Sequence, residues 1–300
     1  MKQQSLYIND GMHQLHLRHI SHSENVPNQK QASPILMLHG TIENGKIFYT
    51  ESGKGLACYL AEQGFDVYVA DFRGKGKSTP SLCEEPEHGQ FEAITRDIPL
   101  FLDFITQRSG QKVHVICHSW GGVLFSSALA RYPNRVEQIA SNICFGTKRS
   151  IYQKGLHKFL KVDLLWNRIA PYLARKKGYV DAVGLKFGAD NETLKFLQQS
   201  IQWVKPQKWH DPEDAYDYQY AATQMKWPDT WHLTGIKDSL LGHADDVKAF
   251  IAESNTGAEF TLLSKQAGNA FDYDHIDILT HPLAINDHFP LIANWLKERG

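Results

Sequence analysis

Val113-His114-Val115-Ile116-Cys117-His118-Ser119-Trp120-Gly121-Gly122 is the stretch that decides how the rest of the chain is read. A near-continuous apolar run meets a serine, then small residues, then the helical apolar spacing of residues 122–131, which Tyr132-Pro133 ends. A buried strand that turns abruptly into a helix at a serine is the setting of a nucleophile elbow. The tight turn projects the hydroxyl above a sheet, and small neighbours keep the two backbones from colliding. The Trp120 amide would stand at the helix start, where unpaired N–H groups and the helix dipole favour developing negative charge. The strict elbow pattern is G-x-S-x-G, and here Cys117 occupies the first glycine position. Because S-x-G-G after any buried strand is also compatible with an ordinary tight turn, the flanking motifs must decide.

Working outward, residues 35–38, 67–70 and 139–145 are apolar runs of the kind that a parallel sheet buries on both faces. Residues 55–63 and 91–106 between them carry apolar residues at helical spacing. This alternation predicts an α/β fold with a mainly parallel central sheet flanked by helices. Residues 6–8 and 14–20 alternate polar with apolar on either side of Asn9-Asp10-Gly11, which predicts an antiparallel hairpin edge. From about Thr147 to Trp227 the pattern becomes amphipathic, with Phe159, Leu160, Leu164, Leu165, Ile169 and Leu173 spaced along it. The expected organisation is a core of residues 1–146 and 228–300 with a helical cap inserted at 147–227. The core resumes with a strand over 231–236, a helix over 244–253, a strand over 260–263 and a last helix from about 283 to 297.

Upstream of the elbow, Leu38-His39-Gly40-Thr41 closes a buried strand. Gly40 lets the backbone bend so that the Thr41 amide faces the elbow as a second oxyanion donor, and His39 reads as a strut beneath the loop. The glycine-rich basic loop over residues 71–78 lacks the P-loop spacing and leads into no helix, so Asp71 and Arg73 are expected to fasten the loop rather than bind phosphate. Downstream, Asp238 follows the 231–236 strand at its carboxyl end and is the best acid. Asp229 precedes that strand, and Asp245 and Asp246 sit at a helix start. Of the four later histidines, His275 lies in the loop after the last strand, whereas His243 follows the acid too closely and His281 and His288 belong to the final helix region. His118 adjoins the serine, but consecutive strand residues point to opposite faces, so it is poorly aimed as a base.

Composition excludes several classes. Across 300 residues, 42% are hydrophobic and 22% charged, with a net charge of −1, so there is enough apolar material for a core and no long-range field to attract nucleic acid or an anionic membrane surface. Residues 1–20 contain no continuous apolar signal core, and no apolar run approaches the roughly 20 residues of a membrane span, so a cytoplasmic address without a membrane segment is expected. Cys58, Cys83, Cys117 and Cys144 form neither a disulfide framework nor a paired metal spacing, and no H-E-x-x-H occurs. Neither a metal nor an organic cofactor is expected, and oligomeric state is left open.

Taken together, His39-Gly40, the Cys117–Gly122 elbow, Gly235-Ile236-Lys237-Asp238 and Asp274-His275-Ile276-Asp277 resemble the α/β-hydrolase superfamily over essentially the whole chain. The elbow serine and the His275 segment are more similar to lipases and carboxylesterases than to dehalogenases, which place an aspartate at the elbow. The resemblance implies a triad of Ser119, His275 and Asp238, an oxyanion hole of the Thr41 and Trp120 amides, and hydrolysis of a small-molecule ester through an acyl-enzyme. The same triad also serves thioester, lactone or carbon-carbon bond hydrolysis, and a noncatalytic binding protein on this scaffold is a further reading. Leu164, Leu165, Ile169 and Trp203 are the expected walls of an acyl pocket. Equally, the aromatics Trp203, Trp209, Tyr216, Tyr218, Tyr220, Trp227 and Trp231 would serve simply to pack a helical layer onto the core.

Overall fold

Alternating apolar strands and amphipathic helices build an eight-stranded sheet in this protein. The structure, a computed structural model, describes residues 1–22, 32–254 and 257–300. In chain order the strands are β1 (Lys2–Asp10), β2 (His13–Ser21), β3 (Pro34–Leu38), β4 (Asp66–Asp71), β5 (Val113–His118) and β6 (Ile139–Phe145). A two-strand hairpin, β7 (Tyr179–Val180) and β8 (Glu192–Thr193), precedes β9 (Thr230–Gly235) and β10 (Glu259–Leu263). The spatial order is β1-β2-β4-β3-β5-β6-β9-β10. From β4 to β10 all neighbours run parallel, while β1 and β2 add the antiparallel edge. Asp10 pairs with His13 across a two-residue turn in which Gly11 has φ 62°, a left-handed conformation suited to glycine.

Period-two alternation sends successive strand side chains into two core layers. Val113, Val115 and Cys117 face one layer, which contains Phe101 and Leu102 of the helix Ile98–Ser109 and Val123 and Phe125 of the helix Trp120–Arg131. Ile116 faces the other, with Leu56 and Leu60 of the helix Leu56–Glu62 and Ile292 and Leu296 of the helix His288–Lys297. The last helix starts later than its apolar spacing suggests. Pro282–Asn286 forms a separate 3-10 turn, and His288 is buried at the helix start, donating from Nε2 to the Ile278 carbonyl at 2.7 Å.

Between β6 and β9 no strand of the large sheet occurs among the described residues. Leu156–Lys158, Phe159–Ile169 and Ala170–Ala174 follow one another as a single helical run whose middle is a π-helix. The β7-β8 hairpin and the helices Leu194–Trp203 and Tyr218–Gln224 complete the segment. The hairpin is an addition to the all-helical expectation, since strands of two residues are too short to show a period. Among the described residues, no helix is long and apolar enough to cross a membrane.

Candidate active site

Four loops at the carboxyl ends of parallel strands meet here, which is where open α/β sheets collect ligand-binding residues. They follow β3, β5, β9 and the last strand, β10. Ser119, directly after β5, has φ 53° and ψ −124°, a strained conformation for a side chain, held by its amide donating to the Phe145 carbonyl at 2.8 Å. The glycines explain how so sharp a turn closes. A Cβ on Gly121 would stand 2.5 Å from the His39 carbonyl oxygen, one on Gly122 2.3 Å from Thr147 Oγ1, and one on Gly40 2.8 Å from Ser119 Cβ. Cys117 is tolerated because its side chain points away from the turn into the core layer, with Sγ 3.8 Å from Asn142 Oδ1.

His275 and Asp238 converge on that serine. His275 Nε2 lies 2.9 Å from Ser119 Oγ, and Nδ1 lies 2.5 Å from Asp238 Oδ2. A carboxylate only accepts, so Nδ1 carries the proton and Nε2 is left with a lone pair facing the hydroxyl. Burial by itself pushes the Asp238 carboxyl up. The charge and hydrogen bond of His275, the Gly242 amide at 2.8 Å and the Lys148 charge outweigh it and hold the group below the ordinary carboxylate value. Lys148, buried near Trp120, is itself pushed down to about 8 by burial, against the attraction of Asp238 and Asp246.

Trp120 opens its helix and Thr41 lies just beyond Gly40, and neither backbone amide has an acceptor among the described residues. The residue after Thr41 is strained. Ile42 has φ 53°, unusual for a β-branched side chain, and is pinned by residues 189–192: its amide donates to Glu192 Oε2 at 3.2 Å and its carbonyl accepts from the amides of Ala189 and Asp190. Glu192 in turn pairs with Lys75 at 2.9 Å.

Beneath these groups lies a pair that the linear pattern did not single out. Glu43 Oε2 accepts from the Gly40 amide at 2.9 Å and from His118 Nδ1 at 2.8 Å, while His118 Nε2 donates to the His275 carbonyl at 2.9 Å. Both ring nitrogens of His118 therefore face acceptors, so both must carry protons and the ring is an imidazolium. Burial opposes charge on each partner. Their mutual attraction wins, raising His118 above the ordinary imidazole value and lowering Glu43 to about 2, with His275 and the Gly40 amide helping. The only signal in the sequence was that His118 points away from the base position.

His39 is held as a strut, Nδ1 donating to the Gly40 carbonyl at 2.8 Å and Nε2 accepting from the Phe72 amide at 3.3 Å. Asp71 accepts from the Gly45 and Lys77 amides, and Arg73 pairs with Asp97 and Asp10, so both residues fasten loops. Among the candidate pocket residues, Trp203 is fully buried in a cluster with Trp120, Trp209 and Tyr218, its Nε1 donating to the His210 carbonyl. Leu164 is half-buried, and Leu165 and Ile169 are exposed to solvent, so the structure does not gather these four into one cavity.

A sequence model of the alpha/beta hydrolase fold family matches residues 33–177. The chain is 29% identical to the gastric triacylglycerol lipase of Bos taurus over 134 residues, which is 42% of this chain and 34% of that protein. It is 23% identical to an abhydrolase domain-containing protein of Caenorhabditis elegans over 260 residues, 76% of this chain and 55% of the other. The matched stretch thus spans about a third of the length of the gastric lipase. A solved structure of a soluble variant of monoglyceride lipase from Saccharomyces cerevisiae superposes with a TM-score of 0.71 at 16% identity, covering 99% of this chain and 96% of that one. By strand order and by the matched family model the chain has the α/β-hydrolase fold, and in its matched stretch it is similar to lipases.

Proposed function

We propose that this protein hydrolyses carboxylic esters by a Ser-His-Asp mechanism. One observation carries the reading: Asp238, His275 and Ser119 form a continuous hydrogen-bonded line in which the required tautomer leaves Nε2 facing the serine hydroxyl. In the cycle His275 takes the Ser119 proton as Oγ attacks the ester carbonyl, and the Thr41 and Trp120 amides receive the oxyanion. His275 then gives that proton to the leaving alcohol, forming the acyl-enzyme. Water, deprotonated by the same nitrogen, releases the acid and restores the serine. Asp238 holds the tautomer and stabilises the imidazolium. The direct test is reaction with a fluorophosphonate and mass-spectrometric localisation of the adduct. A label on Ser119 is expected, and an unlabelled Ser119 in folded protein would remove the proposal.

In this reading Glu43 and His118 are positioning residues, tying the oxyanion loop to the backbone of the base. Their pH behaviour follows from the directions of their shifts. The Glu43 contribution to stability is complete above the ordinary carboxylate value of 4.5 and is lost as pH falls toward about 2. The His118 contribution is complete below the ordinary imidazole value of 6.5 and is lost as pH rises through its raised value. Glu43→Gln is expected to lower kcat by roughly ten- to a hundredfold with little change in KM, because it displaces positioned groups rather than binding surface. It should also move the alkaline loss of kcat to lower pH. An alkaline limb identical to that of the parent enzyme would show that His118 does not depend on Glu43.

Residues 147–227 are the proposed cap over the core of 1–146 and 228–300. A narrow recess beside Gly40 is walled by Phe72, Ala93, Leu124 and Phe196 but also by Arg73, Lys75, His88 and Glu192, and with a free volume of about 20 Å³ it would have to open to admit an acyl chain. Each methylene buried there is worth about 0.8 kcal/mol, so kcat/KM on p-nitrophenyl esters is expected to climb from acetate to a medium-length optimum. A profile highest at acetate would eliminate the acyl recess and leave the nucleophile untouched.

A further inference from the structure

The helical run from Leu156 to Ala174 has two apolar faces, and only one of them is covered. Its middle is a π-helix, in which the Ala170 amide reaches back to the Leu165 carbonyl. The wider turn places residues four to five apart on one side. Val162, Trp166, Ala170 and Ala174 follow that spacing on the inner side: Ala170, Ala174 and the half-buried Trp166 pack with Val180, Leu197 and Ile42, the residue after Thr41. Leu156, Leu160, Leu165, Ile169 and Leu173 follow it on the outer side, and all five are exposed, Leu156 by 72%. Phe159 and Tyr172 are exposed as well. A monomeric surface rarely leaves so long an apolar stripe in water.

Charge says what covers it. The net charge of −1 predicts no attraction to an anionic surface, but a whole-chain sum hides a local excess: residues 154–177 contain seven lysines and arginines and a single acidic residue, Asp163. Lys154, Arg168, Arg175 and Lys176 are exposed and have no ion-pair partner among the described residues. A helix with an exposed apolar face bordered by unpaired cations is built to lie in the boundary of an anionic lipid surface, cations among the headgroups and leucines in the acyl region. We infer that this protein docks on anionic membranes through the outer face of residues 156–174, which sets the oxyanion loop directly beneath the lipid. The inference rests on the ester-hydrolase reading for its purpose, but not for its geometry.

The test is flotation of the full chain with vesicles of phosphatidylcholine alone and of phosphatidylcholine with phosphatidylglycerol, at low and high salt. The parent protein is expected to float with the anionic vesicles and to be released by salt. The triple variant Leu156→Ser, Leu160→Ser, Leu173→Ser, and separately Arg175→Gln with Lys176→Gln, should each lose roughly ten- to thirtyfold in partitioning. Turnover of the soluble p-nitrophenyl acetate should be the same in all of them, which also certifies folding. Parent protein that floats with neither vesicle, or variants that float as well as the parent, would overturn the inference. So would a concentration-dependent dimer that the triple serine variant converts to monomer, because the face would then belong to a second copy. Failure of the hydrolase reading is separately visible as a parent protein that floats but neither turns over esters nor takes a fluorophosphonate.

Discussion

Ser119→Ala is expected to abolish ester turnover, by about a million-fold in kcat, and to remove fluorophosphonate labelling while leaving the far-UV circular dichroism unchanged. The loss is large because the hydroxyl is the only atom of the site that forms a covalent bond in the proposed cycle. The fold should tolerate the change, since the strained backbone at Ser119 is held by its amide's hydrogen bond to the Phe145 carbonyl and by the close packing of Gly40, Gly121 and Gly122, none of which involves the hydroxyl. Turnover measured with a p-nitrophenyl ester decides the matter, and full activity in the variant would refute the assignment of the nucleophile.

The second large effect is at the base and its partner. His275→Ala should cost about as much as loss of the serine, because the two act as one unit. Asp238→Asn should lower kcat by on the order of ten-thousand-fold through a different route. An amide presents a donor as well as an acceptor to Nδ1, so the imidazole can turn its proton toward Ser119 and cease to be a base there. The carboxylate is held below its ordinary value by His275, the Gly242 amide and Lys148, so in the parent protein it is ionised throughout the neutral range. Steady-state kinetics on the two variants separate the roles. Near-parent rates in Asp238→Asn would transfer the acid role to another carboxylate, such as Asp272 or Asp274, and leave Ser119 standing.

The legible part of this protein was whatever depends on short-range sequence. The β5 elbow, the strands around it and the loop positions of Asp238 and His275 could be read because a parallel strand is a local apolar run and its carboxyl end is the next loop. The glycines at 40, 121 and 122 could be read for a similar reason: each stands where the backbone passes within contact distance of another segment, which leaves no room for a side chain. Strand order, by contrast, joins β2 to β4 and β6 to β9 across long stretches of chain, and no local period records it.

Residues 147–227 show the limit most clearly. The spacing of Leu164, Leu165 and Ile169 marked an amphipathic segment, but an apolar stripe looks the same in sequence whether it faces a pocket, the core or the outside. Only packing distinguishes these: Trp203 went into an aromatic cluster, while Leu165 and Ile169 were left facing solvent by a π-helical turn that shifts the register of the faces. Glu43 and His118 were invisible for another reason. Their partnership spans 75 residues, and a buried imidazolium exists only because a carboxylate, a carbonyl and the absence of water meet at one point in three dimensions. The sequence by itself thus determined the class of fold and the loop positions of the candidate residues, because both follow from local pattern. Which surfaces are covered and which buried charges survive was decided by tertiary structure alone, since burial and electrostatics depend on distances the linear order does not contain.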